Sequence, residues 1–87
     1  MPAIGGEIEQ LSALQSTFNT QSGAVEDLKR ILSGQLSNTV WQGPAADRFR
    51  SSWESDFSPA LVRLAQALND AGTEVARRRD ALVQAGS

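Results

Sequence analysis

Ten serines, one lysine, seven arginines and ten carboxylates are the reactive side chains in this 87-residue sequence, which contains no histidine and no cysteine. A serine nucleophile needs a base within hydrogen-bond reach. With no imidazole, and with Lys29 as the only amine of its kind, no activated serine can be assembled. The lack of His and Cys also removes the usual zinc ligand sets and all thiolate chemistry. Three carboxylate pairs remain: Glu7 with Glu9, Glu26 with Asp27, and Glu54 with Asp56. On helices the two members of each pair face different ways and lack convergent neighbours, so solvated faces are expected rather than acid-base pairs or cation sites. The run Ala76-Arg77-Arg78-Arg79-Asp80-Ala81 could form a basic patch. Three arginines near a helix C-terminus are better explained by the helix dipole and by solubility. The expectation is a chain with no catalytic residues, no metal and no cofactor.

Size and charge narrow the remaining roles. A single domain of this length struggles to bury enough apolar surface to fold alone, and with no disulfide or metal to staple it, a partner must serve. A net charge of -2 gives no electrostatic reason to bind nucleic acid or anionic lipid. No stretch approaches the roughly 18 apolar residues of a membrane span. The opening MPAIGGEIEQL lacks a basic segment followed by an apolar core. The expectation is a chain made in the cytoplasm and, if exported, exported without a cleavable N-terminal signal peptide.

The elements that would position these residues are helices. Ile4, Leu11, Phe18, Val25 and Leu32 recur every seven residues, with Ile8, Leu14, Leu28 and Leu36 filling neighbouring positions. This predicts a helix from about Gly6 to about Asn38, packed at shallow, coiled-coil-like angles. Glu7, Gln21 and Gln35 interrupt the second seam position. Gly23 and Gly34 each cost about 1 kcal/mol of helix propensity relative to Ala, so packing must supply most of the stability. After a turn at about 39–43, a second helix at about 44–84 carries Ala46, Phe49, Trp53, Phe57, Leu61, Leu64, Leu68, Ala71, Val75 and Leu82 at three- and four-residue steps. Pro44 suits its first turn and Asp47 its positive end. Pro59 predicts a kink there, because its ring meets the carbonyl of Ser55, but no break. Gly72 with Ala65, Ala67, Ala71 and Ala76 either allows close helix approach or reflects ordinary helix-forming alanine. Two such helices, each about 50 to 60 Å long, would form an antiparallel hairpin spanning the whole chain as one domain. A hairpin leaves part of each stripe wet. A second hairpin would cover it, giving a dimeric four-helix bundle whose interface is expected at Leu11, Phe18, Val25, Leu61, Leu64 and Leu68.

At the turn, Gly43 lets the chain reverse, Pro44 presets the next helix, and Trp41 can fold back to plug one end of the bundle. Trp53, on the Phe49 to Phe57 face, reads as core. A hairpin of this length with Trp41-Gln42-Gly43 between its helices resembles the WXG-100 family, the early-secreted-antigen-like substrates of type VII secretion systems. The segment AADRFRSSWESDFSPALVRLAQALNDAG is similar to the second helix of many members. Trp41 and Gly43 carry the motif. The resemblance implies a small secreted binding protein without catalysis. Its implied partners are a paralogous hairpin or a second copy, and a type VII (ESX-like) secretion ATPase.

The sequence departs from that pattern near its end. Many members or their partners carry a Tyr followed four residues later by an acid. This chain has no Tyr, and the nearest match pairs Ala76 with Asp80, a degenerate export signal. Either the signal sits on a paralogous partner, or the chain is a piece of a longer protein. Two other readings use the same heptads: a homodimeric scaffold or adaptor without a secretion role, and a membrane-active effector that inserts its stripe after the dimer dissociates.

Overall fold

The computed structural model describes residues 2–86, with side chains from Gly6 onward. Helix α1 runs Pro2–Asn38, and residues 39–43 form the turn. Helix α2 runs Pro44–Ser52, a single π turn spans Trp53–Phe57, and helix α3 runs Ser58–Gly86. Among the described residues there is no strand. Helix α1 starts four residues before the expected Gly6, and α3 runs two past the expected 84. The side chain of Ile4, first of the heptad series, lies outside the described residues.

Hydrogen bonds between the helices fix their direction. Trp53 Nε1 donates to Ser33 Oγ (3.0 Å), Ser22 Oγ to the Ala65 carbonyl (2.6 Å), and Arg79 Nη1 to Ser12 Oγ (3.3 Å) and Gln15 Oε1 (2.7 Å). Partners descend α1 as they ascend α3, so the pair is an antiparallel hairpin.

Pro59 leaves its mark one turn upstream. An α-helix would put its ring against the Ser55 carbonyl and leave that carbonyl without a donor. The chain instead widens over Trp53–Phe57, and the Ser58 N–H reaches the Trp53 carbonyl, five residues back. The helix therefore continues through the proline by local widening, without a break.

The seam between α1 and α3 is built from small groups. Ser22 of α1 and Ala65 and Gly72 of α3 are buried along it, Ala46 of α2 is buried nearer the turn, and among the described residues no large side chain is fully buried. The helices come close at Gly72: a Cβ there would stand 2.7 Å from Asn19 Oδ1, 3.4 Å from the Phe18 Cβ and 3.5 Å from the Gln15 carbonyl oxygen. At Gly72 these distances support close approach; Ala67 is exposed and reads as ordinary helix-forming alanine. Asn19 is exposed and can swing aside, so Gly72→Ala is expected to be nearly neutral, the clash offset by about 1 kcal/mol of helix propensity. Gly72→Leu has no such escape and pushes the helices apart. A loss of about 2 kcal/mol, or roughly 10 °C in thermal midpoint, is expected by circular dichroism. Equal midpoints for Ala and Leu would remove the close contact from the account.

The result is a rod of 64 × 17 × 13 Å with a radius of gyration of 19.3 Å, against about 12 Å for a compact domain of this length.

Candidate interaction surface

A seven-residue repeat on a straight helix drifts about 20° per heptad. Leu11, Phe18 and Val25 are half-buried along the seam, whereas Leu32, one heptad further, is exposed. The series has walked off the seam. Leu14 and Leu28 stand on the same flank, with Ile31 beyond them at 60% exposure. On α3, Leu61, Leu68, Val75 and Leu82 drift in the same sense, with Leu64 exposed beside them. Because the helices are antiparallel, the two apolar flanks emerge on one side of the rod. A groove of about 300 Å³ on that side is lined by Leu32, Gln35, Leu36, Thr39, Phe49 and Trp53. The opposite side is mixed: there a groove of about 500 Å³ is lined by the charged and polar Glu26, Lys29, Arg30, Ser33 and Gln66 together with Leu61, Val62 and Ala65, and Val62 is itself exposed.

Of the six residues expected at a dimer interface, Leu11, Phe18, Val25, Leu61 and Leu68 thus sit half-buried between the two helices of one hairpin. Leu64, at 47% exposure, stands on the open face. The residues most available to a partner are Leu14, Leu28, Ile31, Leu32 and Leu64, extended toward the turn by Phe49 and Phe57, whose ring centroids are 6.2 Å apart. On this flank α1 places Leu14, Thr17, Gln21, Ala24, Leu28, Leu32 and Gln35, and α3 places Ala60, Leu64, Ala67 and Ala71. Its central stretch carries no charge.

The turn closes the face at one end. Gly43 has φ 115° and ψ 173°, a region essentially reserved for glycine, in which a residue with a Cβ is strained by about 1–3 kcal/mol. The space around it is open, so backbone conformation alone requires the glycine. Pro44 follows as the first residue of α2, and the Asp47 N–H closes the first turn on the Gly43 carbonyl at 3.0 Å. Ala46, fully buried, packs beneath. The Trp41 ring folds back onto Phe49, centroids 5.9 Å apart, yet stays 41% exposed, so in the single hairpin it covers the turn end without sealing it. Trp53 is the more buried of the two. It is half-buried between α1 and α2, with the apolar groove on one side and a polar groove lined by Ser33, Ser37, Arg50 and Glu54 on the other.

Arg50 escaped the sequence reading. Its guanidinium donates to three carbonyls around the turn, those of Trp41 (2.7 Å), Thr39 (3.0 Å) and Leu36 (3.3 Å). These contacts span up to fourteen residues, and no local pattern announces them.

The arginine run also reads differently in three dimensions. Helix α3 continues seven residues past Arg79, so the run lies outside the last turn, where the dipole argument would place it. Arg77 and Arg78 pair with Glu74 on the surface, at 3.2 and 3.1 Å. Arg79 turns into the seam toward Ser12 and Gln15 while its Nε donates to Asp80 at 3.1 Å. Of the expected signal pair, Ala76 is half-buried and Asp80 exposed.

Among the described residues no group of three or more acidic side chains is placed to hold a metal ion, and no helix is long and apolar enough to cross a membrane. Compared with known proteins, the chain matches no family model, no curated protein and no solved structure.

Proposed function

We propose that this chain is a small substrate of a type VII (ESX-like) secretion system that works by binding, as one hairpin of a dimeric four-helix bundle, and that it performs no catalysis. The observation that carries the dimer is the uncovered apolar face. The hairpin exposes 6226 Å², on the order of 1,200 Å² more than a compact monomer of its mass. A face as long and wide as the rod, 64 by 17 Å, would bury on the order of 2,000 Å² in total when two copies or paralogues meet, the size of a stable interface. The secretion role rests on Trp41 and Gly43 standing between two long helices, and the partners it names are a second hairpin and the secretion ATPase.

The uncharged centre of the face favours a second reading, a homodimeric scaffold without a secretion role. Such a surface meets no like charge when it pairs with itself, whereas unlike partners usually select each other through complementary charge. Two measurements separate these readings. Molar mass in solution, alone and mixed with a paralogous hairpin from the same genome, distinguishes self from unlike pairing. The amount of the chain in culture medium, with the secretion ATPase present or deleted, tests export. Export is expected to stop in the deletion strain, and continued export there would sink the secretion reading.

A further inference from the structure

Helix α1 ends at Asn38 without a glycine after it, and among the described residues none but glycine has positive φ. Its last carbonyls therefore cannot be satisfied by the usual left-handed closing turn. Side chains take that place. Thr39 Oγ1 donates back to the Gln35 carbonyl at 2.6 Å, and Arg50 Nη2 reaches the Leu36 carbonyl. The same guanidinium spans on to the carbonyls of Thr39 and Trp41, and its central carbon lies 6.0 Å from the Trp41 ring centroid. Phe49, the preceding residue of α2, projects about 100° away around the helix and meets the same indole from the apolar side.

We infer that Arg50 is the positioning residue of the turn: it fixes the Trp41 indole against Phe49, at the end of the apolar face, for use by a partner hairpin. Arg50 works from the other side, where it lines a groove with Ser33, Ser37 and Glu54, so replacing it changes no residue of the apolar face and acts there only through the Trp41 indole. The planar fork is what the geometry uses. Five N–H donors spread across a rigid plane can serve three carbonyls at once, whereas a lysine ammonium keeps the charge but presents its donors at a single point. Use of Trp41 by a partner rests on the binding reading above; its positioning by Arg50 does not.

The test is nuclear magnetic resonance on the full chain, comparing the indole N–H signals of Trp41 and Trp53 in the unaltered protein, Arg50→Lys and Arg50→Gln. Dimer dissociation constants are measured on the same samples by sedimentation. In both variants the Trp41 indole is expected to become mobile while the Trp53 indole keeps its order and helix content is unchanged. The dissociation constant is expected to rise about tenfold or more, as when an aromatic anchor loses its preset position. Restored Trp41 order in Arg50→Lys would show that charge near the end of α1 suffices, and would overturn the inference. So would an ordered Trp41 in both variants, or loss of order at both indoles together. A mobile Trp41 with an unchanged dissociation constant would overturn its use by the partner. An unaltered chain that is monomeric at every concentration would sink the binding reading, while the indole signals would still decide the role of Arg50.

Discussion

Leu28→Asp combined with Leu64→Asp is expected to convert the proposed dimer into a folded monomer of half the mass. Both leucines are nearly half exposed in the hairpin, at 46% and 47%, so an aspartate at either place remains in water and the seam between α1 and α3 keeps its contacts. In a four-helix bundle the same carboxylates would be buried without partners, at about 3–5 kcal/mol each, which raises the dissociation constant by at least about 100-fold per site. Leu68→Asp is the control. Leu68 is half-buried in the seam, and a charge there should unfold the hairpin whether or not it dimerises. Sedimentation for mass and circular dichroism for helix content separate the cases. If the double variant keeps the mass and midpoint of the unaltered chain, the apolar face is not where the hairpins meet.

The contrast between Leu64 and Leu68 also shows what the sequence could and could not yield. Helices, turn and antiparallel pairing follow from local signals: three- and four-residue steps, Pro44 opening a helix, and Gly43 where the backbone needs positive φ. The division of the apolar stripe between seam and open face is not local. It depends on how far a seven-residue repeat drifts on a helix that is nearly straight, which is why Val25 stays in the seam and Leu32, one heptad later, leaves it. The disturbance from Pro59 was legible in kind, but it surfaces at Trp53–Phe57, because the carbonyl with which the ring collides lies a turn earlier. Arg50 and Arg79 look like any solvated arginine in sequence, and only the approach of α1 turns them into clamps across the turn and the seam. The secretion reading has a different footing, since it is a proposal that rests on a resemblance carried by Trp41 and Gly43.

Trp53→Ala is expected to be the most damaging single substitution at the turn end, more so than the loss of Trp41. Trp53 stands between α1 and α2 with open grooves of about 400 and 300 Å³ on its two sides, so nothing else fills the gap if it is removed. Full burial would put the cost of Trp→Ala at about 3–5 kcal/mol; for a half-buried ring, about 2–4 kcal/mol is the expectation. For a chain of this size that lowers the thermal midpoint by roughly 10–25 °C. Trp53→Phe keeps most of the ring but loses the donor to Ser33 Oγ, a change of about 1 kcal/mol, since Ser33 can turn to water. Trp41 contacts one ring and one guanidinium and is already 41% exposed, so Trp41→Ala should cost about 1–2 kcal/mol and leave helix content intact. Thermal melts of the three variants by far-ultraviolet circular dichroism rank them directly. Hydrogen exchange should show α2 loosened in Trp53→Ala while the middle of the seam, around Ser22, Ala65 and Gly72, stays protected. If Trp41→Ala melts as low as Trp53→Ala, then the exposed tryptophan, and not the half-buried one, holds the turn end together, and the wedge assigned to Trp53 is wrong.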